Sequence, residues 1–545
     1  MKWQTKDQLK ELLCNLLQYE SISGQKDERA IIEYIYHLLK SEQYFQEHPH
    51  HLQTDPLEDG RQLLTALVKK NTNTKKTIIL LSHIDVVDIE DYGSFKNLAF
   101  HPLELTEELT EQKDLLPQEV QDDLKTGDWL FGRGSMDMKA GTTLHLSMLE
   151  RAMNDEWDGN ILLLAVPDEE VNSAGMIKAI STLNRIQEEE GLEYTLCLNS
   201  EPMFRQYPND NNIYMYTGSL GKILPGFLCY GKETHVGEPF HGLNANLMIS
   251  YLNTHLELNE TLMEKVGDEV TPPPISLMNR DLKDHYSVQT PVTAVSMYNV
   301  LMMEQSVHEI SKKLIRIMEK TKDQIEDHMR RQASYFSKAI GEEKDFAKFN
   351  VSILDYDSLY QEAVKRHGED EVERRLNLLF HEREQGDRDF STLLVQDLAY
   401  LCKDLAPMMV LFYSPPFYPA VSSRSDAIVT DLCDHVTQYM KDKYQLNAKT
   451  MNYFNGISDL SFIGHDPHKY DNIKELSRHM PFEQIGSSFL DSLKTDLEVP
   501  SANIGPLGKD AHQWTERLEM NFSFGQLPDI LSDALHYAFN YSDLS

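Results

Sequence analysis

Acidic and imidazole side chains follow several short apolar runs of this chain, at positions where chemistry could occur. Three runs are each followed within four residues by such groups: His83 and Asp85 after 78–81, Glu169 and Glu170 after 161–166, and Glu201 after 195–198. Asp137, in a glycine-containing turn, and His512, on a late loop, add one carboxylate and one imidazole. Functional groups collect at the carboxyl ends of strands in α/β sheets, so we expect these side chains to meet.

Crowded carboxylates repel one another unless a cation lies among them. Two histidines and three carboxylates form a ligand set that suits two zinc-like ions sharing one bridging carboxylate. Glu169 would then remain outside the ligand set as a base. A histidine after a strand, a Glu-Glu pair or a Gly-x-Gly turn is common by itself, so the prediction rests on their combination.

The elements that would position these residues alternate between strand and helix. The apolar runs are short and nearly continuous, which is typical of strands covered on both faces, and helical patterns occupy 140–154 and 174–190 between them. This alternation predicts an α/β catalytic domain with a mostly parallel central sheet. The pattern changes near residue 212, and we predict an inserted α+β domain over 213–420, in which Pro415 and Pro416 end a strand that starts at 408. The catalytic domain, begun at 1–212, would close with 421–545.

Composition narrows the classes of function. The chain has 545 residues and a formal net charge of −35, which disfavours binding to nucleic acid and to anionic membranes. No apolar stretch is long enough to span a bilayer, and the first residues lack the apolar core of a secretion signal, so we predict a cytoplasmic protein. The five cysteines are scattered without a CxxC pair, which argues against a thiolate zinc site and a disulfide framework.

Five motifs occur in an order that resembles the M20 metallopeptidase family, which includes aminoacylases, dipeptidases and desuccinylases. They are His83-x-Asp-Val-Val, Gly132-Arg-Gly-x-x-Asp-Met-Lys, Asp168-Glu-Glu, Glu201-Pro and the late His512. The resemblance covers about 1–255 and 421–545, whereas 256–420 matches poorly. The length of the chain and the prolines near 415 most resemble those of the arginine-utilisation, RocB-type branch. The resemblance implies a zinc-exopeptidase-like catalytic domain with an inserted lid domain of the dimerisation type.

The resemblance also implies a role for each residue. Two divalent ions would be bound, with zinc expected first and cobalt or manganese as alternatives, and they would activate a water for cleavage of an amide bond. The implied roles are Asp137 as bridging ligand, His83 and Glu201 on one ion, Glu170 and His512 on the other, Asp85 as acceptor of the second ring N–H of His83, Glu169 as general base, and His235 as hydrogen-bond donor to the oxyanion.

One position departs from the family pattern. Where relatives carry an Asp-x-Arg that binds a substrate carboxylate, the best match here is Asp355-x-Asp357. We therefore predict that Asp357 contributes to binding a substrate with a cationic group, with a surface acid far from the cleft as the alternative.

The substrate class stays open at this stage. A small N-acyl amino acid or short peptide is expected, and a dipeptidase or aminopeptidase activity is the alternative. A catalytically inactive metal-binding relative is also open, although retention of Glu169 argues against it. The resemblance implies a homodimer through the lid domain, whereas the enlarged lid of this chain could instead leave it a monomer.

Overall fold

The computed structural model describes residues 1–70, 74–207, 210, 212–283, 285–341, 346, 348–485, 489–494 and 497–541. The chain divides into two compact units. The first consists of Met1–Leu220, Val421–Asp466 and Thr495–Ser545, and the second of Gly221–Ala420 and Pro467–Lys494. No helix among the described residues is both long and apolar enough to cross a membrane.

A central sheet of eight strands in the described chain organises the first unit. Its strands, in spatial order, are Leu52–Pro56, Gln62–Val68, Asn160–Val166, Lys76–His83, Glu193–Asn199, Ser501–Asn503, Ile213–Tyr216 and Ala448–Met451. The four from Asn160–Val166 to Ser501–Asn503 run parallel to one another. The prediction of an α/β fold with a mostly parallel central sheet is therefore confirmed.

The parallel strands carry the predicted site because their carboxyl ends share one edge of the sheet. They are largely buried on both faces, and the residues from Ile161 to Ala165 have no exposed surface. The segments that leave this edge are 167–170, 200–201 and 504–512, while His83 ends its own strand. Sequence-distant residues thus arrive at one place.

Helices cover this sheet and bury apolar faces against it. The helix Lys6–Leu17 begins with a capping box formed by Thr5 and Gln8, and five of its leucines are buried. The remaining α-helices of this unit are Asp27–Lys40, Gln43–Glu47, Pro102–Glu111, Gln118–Thr126, Lys139–Met153, Ala174–Glu190, Ala427–Tyr444, Met520–Ser523 and Leu527–Asn540. Shorter strands complete it: Trp129–Phe131, Gly508–Lys509 and Arg517–Glu519 in one small sheet, and Gly218–Ser219 with Val421–Ser422 in another.

The second unit is built on a five-stranded sheet within the described residues. Its spatial order is Ile275–Asp281, Thr293–Met302, Gly221–Tyr230, Met408–Tyr418 and Ser352–Asp355, with only the last pair parallel. A two-stranded ribbon joins Lys265–Val266 to Glu269–Val270. Its α-helices are Ala245–Leu256, Val307–Ala339, Tyr356–His367, Glu369–His381, Asp387–Leu401, Lys469–His479 and Phe489–Ser492.

One segment lies in a different unit from the one that the sequence indicated. Pro467–Lys494 belongs to the second unit, whereas the sequence pattern predicts that it lies in the closing part of the catalytic domain, 421–545. Asn472 on this segment accepts a hydrogen bond of 2.8 Å from the backbone N–H of Val307. This contact satisfies one of the free N–H groups at the start of the long helix Val307–Ala339.

Candidate metal centre and active site

His83, the last residue of its strand, points one ring nitrogen into a group of carboxylates. Its Nε2 is buried and has no hydrogen-bond partner among the described residues. This atom lies 3.3 Å from Asp137 Oδ1, 3.6 Å from Glu201 Oε1 and 4.0 Å from Glu169 Oε2. The other nitrogen, Nδ1, lies 3.1 Å from the backbone oxygen of Asp85, which accepts its N–H, so Nε2 is the nitrogen available to a metal ion.

Asp137 lies between the two histidines of the predicted ligand set. Its Oδ1 faces His83, and its Oδ2 is 3.2 Å from His512 Nε2. His512 Nε2 is also 3.1 Å from Glu170 Oε1. One carboxylate therefore offers a different oxygen to each imidazole, which is the arrangement of a bridging ligand.

The electrostatics of this group indicate excess negative charge. Burial acts to lower the pKa of His512, but hydrogen bonds and charges from Asp137 and Glu170 outweigh it and raise the pKa to about 11. Burial raises the pKa of Glu201 to about 7, and the charges of Asp137 and Glu170 add to the increase. The surrounding carboxylates thus favour the protonated form of His512 and disfavour ionisation of Glu201. Both shifts indicate a negative potential at the site, which bound metal cations would neutralise.

The residues present fit the two divalent ions that the sequence implies. Ligand atoms of His83, Asp137 and Glu170 all lie within 4.8 Å of one another. His83 Nε2 is buried among carboxylate oxygens, and a divalent ion bound between them would compensate their negative charge. Glu201 and His512 would complete the set, and mixed nitrogen and oxygen ligands suit zinc-like ions.

Asp85 organises more of the site than the sequence indicated. Its carboxylate accepts the backbone N–H of Glu169 at 3.0 Å and that of Glu170 at 3.2 Å. A third hydrogen bond, 2.6 Å long, comes from Ser23 Oγ. The ring N–H of His83 is closer to the backbone oxygen of Asp85 than to its carboxylate, which lies 3.5 Å away. Asp85 therefore holds His83 and both glutamates in place together.

A buried ion-pair cluster that sequence reasoning missed holds the residue before Glu169. Asp168 has a left-handed backbone with φ of 75°, which typically costs about 1–3 kcal/mol. Arg61 Nη1 contacts Asp168 Oδ1 at 2.6 Å and Glu28 Oε2 at 3.0 Å, and Glu28 accepts the Asp168 N–H at 3.0 Å. The cluster thus stabilises a turn that would otherwise be unfavourable.

A second missed pair supports the turn that carries Asp137. Glu516 is fully buried, accepts the N–H of Met136 at 3.2 Å and pairs with Arg133 Nη1 at 2.8 Å. Arg133 also binds Asp91 at 2.9 Å. Glu516 follows His512 by four residues in the late loop, and no local pattern in the sequence distinguishes it from a surface glutamate.

The helix Lys139–Met153 packs closely on the strand ends at Gly141. A Cβ at this position would clash with the carbonyl oxygen of Ser200. Glycine-to-alanine changes inside helices normally stabilise by about 1 kcal/mol. Gly141→Ala is instead expected to destabilise by about 1–3 kcal/mol, the usual cost of overpacking, in urea unfolding. The control is Gly386→Ala at the N-cap of the helix Asp387–Leu401, where no atom of the described residues lies within 4 Å of the added Cβ. Equal stabilities for both variants would contradict the close packing.

His235 and Asp357 both lie in the second unit. His235 is exposed in a loop, where its Nδ1 accepts the N–H of Gly237 at 3.1 Å. Asp357 lies in the first turn of the helix Tyr356–His367 and forms an ion pair with Arg478. Asp355 caps the same helix by accepting the N–H of Ser358 at 2.8 Å. Their proposed roles toward substrate stay predictions.

Another group of possible ligands lies elsewhere in the first unit. Ligand atoms of His50, His51 and Glu190 also lie within 4.8 Å of one another. Lys69 Nζ already contacts Glu190 at 2.8 Å, so the carboxylate has a cationic partner. We therefore assign no metal to this group.

Sequence comparison places the chain among known proteins. The model of peptidase family M20/M25/M40 matches residues 79–470. A Bacillus subtilis protein described as "Uncharacterized protein YqjN" is 51% identical, over 98% of this chain and 96% of its own length. "Protein RocB" of the same species is 32% identical, over 96% of this chain and 93% of its own length.

Solved structures share the fold at low sequence identity. A tripeptidase from Staphylococcus aureus has a TM-score of 0.51 and 12% identity, and it covers 99% of this chain and 100% of its own. The M20 metallo-carboxypeptidase Sso-CP2 from Sulfolobus solfataricus has a TM-score of 0.51 and 10% identity, over 97% of this chain and 99% of its own. The family match, the relatives and the geometry of the site agree. The chain belongs to peptidase family M20/M25/M40 and is a metal-dependent hydrolase of the M20 type.

Proposed function

We propose that this protein cleaves the amide or peptide bond of a small substrate, an N-acyl amino acid or a short peptide. The observation that carries the proposal is the placement of Asp137, which offers one oxygen to His83 and the other to His512. The residues that would hold two divalent ions are His83, Asp137, Glu170, Glu201 and His512.

When bound, the two ions would lower the pKa of a water and polarise the scissile carbonyl. In this proposal, Glu169 receives the proton of that water. Its Oε2 lies beside His83 Nε2 at 4.0 Å, and burial raises the pKa of its carboxyl well above the ordinary value. A carboxyl with a raised pKa holds a proton long enough to pass it to the leaving amine. Asp85 fixes the backbone of this base through the N–H of Glu169.

Two alternatives to this proposal are an enzyme with a different substrate and a protein without catalytic activity. One is an exopeptidase of the dipeptidase or aminopeptidase type, which uses the same site on a different substrate. The other is a relative that binds metal without turnover. The buried Glu169 favours an enzyme, because a metal-binding protein has no chemical need for a base beside the ligands.

The proposal is tested by metal analysis coupled to a turnover screen of N-acyl amino acids and dipeptides. We expect two divalent ions per chain and hydrolysis of at least one substrate group, abolished by a chelator and restored by zinc, cobalt or manganese. Turnover that survives complete removal of metal would contradict the proposal. Two bound ions with no turnover of either group would favour the inactive relative.

We also propose a substrate with a cationic group, such as an arginine-derived amide. The net charge of −35 and the resemblance to the arginine-utilisation branch support this, as does Asp357 where relatives place an arginine. Asp357 forms an ion pair with Arg478, so replacing one or the other should change the preference for a cationic substrate in opposite directions. Asp357→Asn should lower the preference for arginine-bearing over leucine-bearing amides by about two- to fivefold, and Arg478→Gln should raise it, since exposed pairs are worth about 0.2–1 kcal/mol.

The measurement is kcat/KM for matched amides with arginine, glutamate and leucine side chains. A preference for glutamate, or no change in either variant, would contradict the role of Asp357. The oxyanion role of His235, a homodimer through the inserted domain, zinc as the native ion and a cytoplasmic location stay predictions.

A further inference from the structure

His145 lies in the helix Lys139–Met153 with no exposed surface, and both of its ring nitrogens contact serine hydroxyls. Nδ1 lies 2.8 Å from Ser82 Oγ, and Nε2 lies 2.9 Å from Ser200 Oγ. These two serines directly precede His83 and Glu201 in the sequence. A single imidazole therefore links the backbone beside two proposed metal ligands.

The hydrogen bonds assign the proton on this ring. Ser200 Oγ also lies 3.0 Å from the carbonyl oxygen of Ile504, which only accepts, so the hydroxyl proton of Ser200 is used there. His145 Nε2 must then donate to Ser200 Oγ, and Nδ1 must accept from Ser82 Oγ. Burial lowers the pKa of His145 to about 3, so the ring is neutral and offers one donor and one acceptor.

The bridge lies where the sheet no longer connects the two strands. The ladder between Lys76–His83 and Glu193–Asn199 ends at the pair Leu81 and Asn199. Ser82 and Ser200 therefore lie just beyond the last strand pairing on this side. The proposed ligands His83 and Glu201 come directly after these serines, and His83 Nε2 lies 3.6 Å from Glu201 Oε1. His145 supplies the link that the ladder lacks.

The same helix contacts these strand ends at two more points. Thr142 Oγ1 donates to the carbonyl oxygen of His83 at 3.3 Å. Gly141 packs directly on the carbonyl oxygen of Ser200. The helix begins two residues after Asp137, so one rigid element relates the bridging carboxylate to both strand ends.

We infer that His145 is a positioning residue of the metal site, which holds His83 and Glu201 at a fixed separation through Ser82 and Ser200. The inference rests on the proposed function for the identity of the ligands. It goes beyond that function because His145 touches neither a ligand side chain nor substrate in this account. Partners that orient metal ligands typically contribute about 10–100-fold to metal affinity.

The test compares two replacements of His145 that differ in hydrogen bonding. Glutamine retains one acceptor and one donor, whereas methionine is apolar. Zn²⁺ affinity is measured by competition with a chromophoric chelator, and thermal unfolding of the metal-free protein is measured alongside. His145→Met is expected to weaken binding of one ion by about 10–100-fold, and His145→Gln to restore most of that loss.

Smaller variants keep the test decisive if His145→Met does not fold. Ser82→Ala and Ser200→Ala each remove one arm of the bridge and should each weaken Zn²⁺ binding. Ser147→Ala is the matched control, since Ser147 is a fully buried serine of the same helix whose hydroxyl finds no hydrogen-bond partner in the part of the chain that the structure describes. Its Zn²⁺ affinity should equal that of the wild type.

The outcomes separate this inference from the proposed function. Unchanged Zn²⁺ affinity in all bridge variants, or equal losses for His145→Gln and His145→Met, would overturn the positioning role and leave the hydrolase intact. Wild type that binds two ions without amide turnover would contradict the proposed function, while the relative affinities would still decide the role of His145. A wild-type chain that binds no Zn²⁺ would contradict both.

Discussion

Glu169→Gln is expected to bind two divalent ions as tightly as the wild type and to lose roughly 10²–10⁴-fold in kcat, the usual contribution of a general base. The amide has nearly the shape of the carboxyl but cannot accept the proton of the attacking water. Burial keeps the pKa of Glu169 well above its ordinary value, so this carboxyl is suited to proton transfer. The measurement is turnover per bound metal.

The matched control for this prediction is the adjacent Glu170→Gln. Glu170 Oε1 contacts His512 Nε2 at 3.1 Å, so its loss should reduce the metal content first. Should Glu169→Gln lose metal while its activity per bound ion stays near that of the wild type, the roles of the two glutamates are exchanged.

Asp137→Asn should weaken the binding of both ions together. The side chain directs Oδ1 toward His83 and Oδ2 toward His512, whereas asparagine retains only one oxygen and places an NH2 group on the other side. The loss in affinity should exceed the roughly 10–100-fold cost of removing a partner that only orients a ligand. Chelator competition with Zn²⁺ measures both binding steps.

Asp529→Asn provides the comparison for Asp137→Asn. Asp529 accepts hydrogen bonds from Tyr439 at 2.6 Å and Tyr444 at 2.7 Å, and it is not among the proposed ligands. Its metal affinity should equal that of the wild type. If Asp137→Asn affects only one of the two binding steps, Asp137 does not bridge.

The meeting of the proposed ligands at one place could be predicted from the sequence because it follows largely from the topology of the sheet. His83, Glu170 and Glu201 each lie at or just after the end of a strand that is recognisable from its short apolar run, and parallel strands end at the same edge. Asp137 and His512 lie on loops, so strand topology alone does not bring them to this edge, and their place in the group rests on the combined ligand set and on the family resemblance. The structure places all five together, although their roles as ligands stay a prediction.

The residues that support the site were not predictable from local patterns. Glu28, Arg61 and Glu516 are charged residues that a sequence reading places at the surface, yet the folded chain buries Glu28 and Glu516 fully against ionic partners. His145 lies in a helix that is buried nearly throughout, so no polar face distinguishes it. Such roles depend on partners that are distant in the sequence.

Local rules also misplaced one strand end. Pro415 and Pro416 predict an end to the strand that starts at Met408, but the strand continues to Tyr418. Its register with Gly221–Tyr230 shifts between Ser414 and Tyr418, in the segment that contains the prolines. An irregular ladder accommodates residues that lack an N–H, so proline ended the regular pairing rather than the strand.

The central claim is that one constellation of side chains holds two divalent ions on either side of Asp137. Elemental analysis of the purified wild-type chain after dialysis against Zn²⁺ tests this most directly. Two zinc ions per chain are expected. A chain that retains one ion, or none, under conditions where the fold is intact would contradict it.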